Sequence, residues 1–238
     1  MYLKKNVYLA GSSIYYKLML KLFNPSLVKK YSMAISGLFL ILFLLQHFTI
    51  NLTSVFSEKI FNSISHFMGN NPVVQFILQP ILIFGVIFHF VMGMVLDYQN
   101  RKSRSVKYYY VNGSSNSSWM SRNMILSGIV VLLFLFLHFY DFWVPEMNYK
   151  YIKFSPLDPD RYFHEMTHKF ESPVRVIIYS FSFLFLGLHL LHGFNSSFQS
   201  VGVNNKYILS IRSLTKFFAI GVPLGFVFIA LYHFTNTL

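Results

Sequence analysis

Apolar residues gather into five long stretches along this chain, at about 31–51, 73–97, 122–142, 173–196 and 212–234. A helix rises about 1.5 Å per residue, so roughly 20 apolar residues cross the hydrocarbon core of a bilayer. Each stretch meets that length. Strands are excluded in such a setting, because the edge of an open sheet cannot be satisfied in lipid. The pattern therefore predicts an all-α, integral membrane five-helix bundle, with one transmembrane domain over 31–238 after an N-terminal segment, 1–30. Within that segment "SIYYKLMLKLFNPS" reads as a short surface helix broken at Asn24-Pro25. The first span is not read as a signal peptide, since it starts late, is too long and lacks a small-residue cleavage site.

Composition agrees with this class. Of 238 residues, 54% are hydrophobic and 12% charged, against about 25% charged in soluble domains. There is no cysteine, which excludes disulfides, thiolate metal sites and iron–sulfur ligands within the chain. Formal net charge is +12, and its placement matters more than its size. Lys and Arg number 14 in the N-terminal segment and the second and fourth loops, and 6 in the first and third. Seven of the eight acidic residues share the poorer side. The positive-inside rule then puts the N-terminus in the cytoplasm and the C-terminus outside. The expected partner is the lipid bilayer, with no nucleic acid.

Each of the first four spans carries a histidine: His47, His89, His138 and His189. By helix rise His47 and His138 each lie about 24 Å above the inner end of their spans. His89 and His189 lie about 12 and about 10 Å above theirs. Spans 1 and 3 thus hold histidines at an outer level, and spans 2 and 4 at an inner level roughly 13 Å away. An iron porphyrin takes axial ligands on both faces, and two helices at equal depth supply them. The pattern predicts two stacked haems, His47 with His138 and His89 with His189. For any one of these histidines the alternative is a hydrogen bond to a neighbouring helix. His192, three residues beyond His189, is rotated away from it and is expected to bond a propionate or another helix; exchange of roles between the two is the alternative.

Glycines repeat with the histidines. Gly37 precedes His47 and Gly128 precedes His138 by ten residues, each after a serine; Gly93 and Gly193 follow His89 and His189 by four. Ten residues are about 15 Å, which puts Gly37 and Gly128 near the inner level, where missing side chains would leave room for a porphyrin. Helix packing by small residues is the alternative. The repeat suggests a pseudo-twofold bundle of spans 1–4, with span 5 peripheral. Residues 164–168, "HEMTH", match the zinc-protease pattern H-E-x-x-H. No third histidine follows at metzincin spacing and the stretch falls in an outer loop, so it reads as an amphipathic loop helix between Asp158-Pro159 and Pro173.

The segments "SGLFLILFLLQH", "FGVIFHFVMGMVLDYQNRK", "SRNMILSGIVVLLFLFLHFYDFW" and "HLLHGFNSSFQSVG" resemble the five-span dihaem cytochrome b anchor of succinate dehydrogenase and fumarate reductase, close to the Bacteroidota type. The resemblance covers most of residues 31–202. It implies two haem b with the ligand pairs given above, the His-x-x-x-Gly pattern favouring His189 over His192. It further implies a flavoprotein and an iron–sulfur subunit on the cytoplasmic face, and menaquinone as substrate near the outer haem. Gln79 and His66 are the quinone-site candidates, and Arg122, Lys30, Arg175 and His192 the propionate candidates. Two other readings stand beside this one: a cytochrome b subunit of another respiratory complex, of hydrogenase or nitrate reductase type, and a haem-free transporter or scaffold.

Overall fold

The computed structural model describes residues 25–102, 123–203 and 208–237. The surface helix expected before residue 25 and the propionate candidate Arg122 lie outside the described residues. All regular structure among the described residues is helical. In chain order the helices are α1 (Pro25–Phe56), α2 (Glu58–Asn70), α3 (Gln79–Lys102), α4 (Met124–His138), α5 (Val144–Met147), α6 (Arg161–Phe170), α7 (Pro173–Ser200) and α8 (Ile208–Thr237). π-helical turns lead into α3 at Val74–Leu78 and flank α5 at Phe139–Trp143 and Asn148–Ile152. Five helical segments are long and apolar enough to cross a membrane: Leu27–Phe56, Val74–Lys102, Met124–Ile152, Pro173–Ser200 and Leu209–Asn236. The chain is a multi-pass membrane protein, and Leu42, Phe84, Leu133, Ile177 and Phe217 are among the large apolar side chains exposed on its flanks, as a lipid-facing surface requires.

The spans are longer than their apolar stretches because polar residues at their ends stay helical. In α1 the side chain of Asn51 donates to the His47 carbonyl at 2.8 Å, Thr53 to Ile50 at 2.7 Å and Ser54 to Asn51 at 2.6 Å. Such back-bonding satisfies the side chain locally and leaves the ladder intact. α2 begins at Ser57, whose hydroxyl accepts from the Ile60 amide, with Glu58 in the first turn. α7 begins at Ser172 in the same way, with Pro173 at its first position. The loop helix expected between Asp158 and Pro173 is present as α6. Its start is clipped by Asn62 of α2, 2% exposed, which donates to the Asp160 carbonyl at 2.9 Å and accepts from the Phe163 amide at 2.7 Å.

α1 packs against α3 and α7, α4 packs against α7, and α3 touches α4 lightly. These four spans form a ring in which α1 faces α4 and α3 faces α7. The fifth span is placed outside the ring, as expected, and packs on two of its members. α8 lies outside the ring but in the groove between α7 and α1, and it is the most deeply buried of the five. Ala219 and Ala230 are fully buried. A proline explains the fit. Pro223 has no N–H for the Ala219 carbonyl one turn back. That oxygen points at Gly187 of α7, where an added Cβ would lie 3.2 Å from it. Only a residue without a side chain lets the two backbones meet, and Cα–H···O contacts of this kind recur at helix interfaces.

Gly187→Val is expected to force α7 and α8 apart and cost about 1–3 kcal/mol by overpacking. Thermal unfolding of the detergent-solubilised protein measures it, with Gly221→Val, where a Cβ meets nothing within 4 Å, as the mild comparison.

Candidate functional site

The ring places the four span histidines in two facing pairs. His47 of α1 and His138 of α4 have ring centroids 5.7 Å apart with planes at 87°. His89 of α3 and His189 of α7 have centroids 6.3 Å apart with planes at 69°. Two imidazoles sharing one metal need two metal–nitrogen bonds of about 2 Å and about 1 Å from each nitrogen to its ring centre, roughly 6 Å in all. Both pairs fit that spacing. In addition, His138 Nδ1 is buried without a hydrogen-bond partner, an arrangement that calls for a ligand or a redox role.

The surroundings of the pairs differ. The outer pair is walled by aromatic rings: Phe43 stacks on His47, Phe134 and Phe142 flank His138, and Phe226 of α8 reaches His47 at 5.8 Å. His47 Nε2 also lies 3.4 Å from the Asn51 amide nitrogen. The inner pair is held by hydroxyls. His89 Nδ1 lies 3.1 Å from Ser36 Oγ, and His189 Nδ1 lies 3.4 Å from Ser127 Oγ. Ser36 stands eleven residues before His47, and Ser127 eleven before His138. Eleven residues are about 16 Å of rise, which sets the separation of the two levels.

A Cβ on Gly37 would meet His89 Cε1 at 3.3 Å, and one on Gly128 would meet His189 Cε1 at 3.5 Å. At both positions the inner imidazole is the ring in reach, and at Gly37 the Ser197 hydroxyl stands closer still, at 3.2 Å. Gly93 and Gly193 face methionine methyls, Met33 Cε at 3.6 Å and Met124 Cε at 3.1 Å. The two halves of the ring therefore repeat each other at the Ser-Gly pairs and at the glycines facing methionine. His192 does not face the inner pair; its Nε2 lies 3.3 Å from Ser196 Oγ, one turn on in its own helix.

Near the outer pair lies a charge that the sequence reading assigned simply to the outer side. Asp141, 1% exposed, sits in the π-turn after His138 and accepts from Arg175 Nε at 3.1 and 3.2 Å and from the Tyr179 hydroxyl at 3.0 Å. The ring of Tyr179 lies 6.3 Å from His138. Arg175, a propionate candidate, is thus engaged by a carboxylate of its own chain. At the other end Lys30 occupies the start of α1, and its neighbour Lys29 donates to Gln99 Oε1 at 3.2 Å.

The outer loops close over the ring through a second charge cluster. Arg161 is buried between the rings of Tyr149 and Tyr162, at 4.1 and 4.3 Å, and is bonded by Glu146 and by Glu165 at 2.7 and 2.9 Å. Burial alone would pull the guanidinium down, but its hydrogen bonds to Glu146 and Glu165 and their charges outweigh it, and its pKa is raised. Burial, then the Glu146 charge, pushes the Tyr162 hydroxyl up as well. His66 belongs to this cluster: its ring packs on Tyr162 at 6.2 Å and its Nδ1 lies 3.1 Å from Asn70. Gln79 begins α3, and no hydrogen bond joins it to His66 among the described residues. The H-E-x-x-H residues diverge. Glu165 holds Arg161, His164 lies 3.6 Å from Glu58 and His168 3.0 Å from Glu171, both histidines exposed. Among the described residues no cluster of three or more His, Asp or Glu could hold a metal ion.

Sequence reasoning gave no role to His233. It is 2% exposed in α8, lies 2.8 Å from Ser54 Oγ, and lines a cavity of about 270 Å³ with Phe163, Thr167, Tyr232 and Asn236. No family of known proteins, no curated protein and no solved structure matches the chain.

Two outcomes are expected here. Removing one member of a buried ion pair costs about 3–5 kcal/mol when both charges are fully buried. Arg175 keeps 34% of its side chain in solvent, so Asp141→Ala should cost nearer about 2 kcal/mol, and Tyr179→Phe about 1 kcal/mol, read as shifts of the thermal midpoint. Elemental analysis of the purified protein should find no zinc that His164→Ala removes.

Proposed function

We propose that this chain is the cytochrome b membrane anchor of a succinate:quinone oxidoreductase, passing electrons between a cytoplasmic iron–sulfur subunit and membrane menaquinone through two bis-histidine haems. The observation that carries the reading is the two facing imidazole pairs on opposite diagonals of one ring, the inner beside Ser36 and Ser127 and the outer eleven residues further along those same helices. His47 and His138 would hold the outer group, His89 and His189 the inner. Haem iron between two histidines supplies one-electron chemistry when bound.

The chain's own residues do the rest. The phenylalanines around the outer pair exclude water and keep the dielectric low. Ser36 and Ser127 orient the inner imidazoles. Lys29, Lys30, Arg101, Lys102, Arg212 and Lys216 gather at the ends read as cytoplasmic, where they orient the chain by the positive-inside rule and offer a basic face to an acidic partner. That orientation puts the N-terminus in the cytoplasm of a bacterial cell and the C-terminus outside. Interconversion of succinate and fumarate belongs to the flavoprotein partner, and the iron–sulfur subunit must be separate, since this chain has no cysteine. Quinone would react at the outer end, where His66 stands among Tyr162, Asn70 and the charge cluster; Gln79 is the other candidate.

The test is the pigment. Two haem b per chain are expected, with a sharp reduced α band. His47→Ala or His138→Ala should lose one spectral component, and His89→Ala or His189→Ala the other, while His192→Ala keeps both. A colourless protein, or loss of haem in His192→Ala with retention in His189→Ala, overturns the assignment. Mass spectrometry of the native complex should find a flavoprotein and an iron–sulfur subunit; hydrogenase or nitrate reductase subunits in their place would redirect it.

A further inference from the structure

We infer that Ser36 and Ser127 are positioning residues that fix the inner histidines in the Nδ1–H tautomer, so that His89 and His189 present bare Nε2 atoms to the space between them. The inference rests on the haem reading for its purpose, but on hydrogen-bond bookkeeping for its content. A serine hydroxyl has one hydrogen and two lone pairs. Ser36 Oγ donates to the Met33 carbonyl at 2.9 Å, and Ser127 Oγ to the Met124 carbonyl at 2.9 Å. With that hydrogen spent, each oxygen faces its imidazole with lone pairs only, at 3.1 Å for His89 Nδ1 and 3.4 Å for His189 Nδ1. The ring nitrogen must supply the hydrogen. A neutral imidazole carrying hydrogen on Nδ1 has Nε2 free as a ligand.

The adjacent glycine completes the device. A Cβ at 37 or 128 would stand 3.3 or 3.5 Å from Cε1 of the same ring, so glycine lets the imidazole lie close to the neighbouring helix and serine catches its nitrogen. The two Ser-Gly pairs do this once in each half of the ring. The outer pair has no such socket: His138 Nδ1 has no partner, and His47 is approached by Asn51 through Nε2. A hydrogen-bonded Nδ1–H makes an imidazole a more basic ligand, and such outer partners typically contribute about 10–100-fold to metal affinity. A more basic ligand favours the oxidised metal, so the serines hold the inner centre at a lower potential than it would have without them.

The experiment compares wild type, Ser36→Ala, Ser127→Ala, the double variant and Ser36→Thr in the intact complex. In redox titrations resolved by spectral component, each alanine variant should move the inner component to a more positive potential and speed its haem loss about 10-fold or more. Ser36→Thr should restore both, and the outer component should stay put. Unchanged inner potentials in the alanine variants, or a threonine variant that behaves like alanine, overturns the assignment. Solid-state NMR of protein carrying ¹⁵N-histidine reads the tautomer independently of haem. Two Nδ1–H signals that change in the double variant support the inference even if the chain proves colourless, which would sink only the haem reading. Inner histidines that carry hydrogen on Nε2 in wild type overturn it in either case.

Discussion

A polar nitrogen buried at membrane depth is costly unless it finds a partner inside the protein, and in this ring three of the four span imidazoles have one while His138 Nδ1 does not. The inner two lean on hydroxyls of the neighbouring spans, Ser36 and Ser127, and face each other. The outer two face each other inside a wall of phenylalanine, with His138 Nδ1 left without a partner. Because each contact joins different spans, satisfying the histidines also fixes which helices are diagonal. Glycine at 37 matters to that order, since a Cβ there would crowd Ser197 Oγ and His89 Cε1 at 3.2 and 3.3 Å, while one at 128 would meet His189 Cε1 in ordinary contact at 3.5 Å.

The two ends of the ring solve opposite electrostatic problems. The end read as cytoplasmic is basic and lightly tied, Lys29 of α1 reaching Gln99 of α3 while Asp97 and Arg101 pair within α3. The other end packs its charges together. Arg161 is buried between two tyrosine rings and two carboxylates, and Asp141 between an arginine and a tyrosine. Burying a charge is tolerable only when it is paired and hydrogen-bonded, and both clusters meet that condition. Their effect is to seal the outer loops over the ring. The π-turn after His138 belongs to this seal, since Asp141 lies within it and turns inward to Arg175 and Tyr179; wide turns of this kind are frequent at functional sites.

The sequence by itself determined whatever depends on distance along a helix. Rise per residue is fixed, so the five spans, the two histidine levels and their pairing by depth were legible from spacing alone. What it left open depends on direction around the helix and on which neighbour arrives there. Serine in an apolar span is unremarkable by pattern, so Ser36 and Ser127 showed no signal beyond their adjacency to glycine. Asp141 read as one more outer acid, because nothing in the order of residues announces a π-turn that shifts the register. That the fifth span lies outside the four-helix ring was legible, but where it docks was not: Pro223 leaves the Ala219 carbonyl without its N–H, and that oxygen meets Gly187 of α7. Contacts of that kind join residues far apart in the chain, and only the packed tertiary structure decides them.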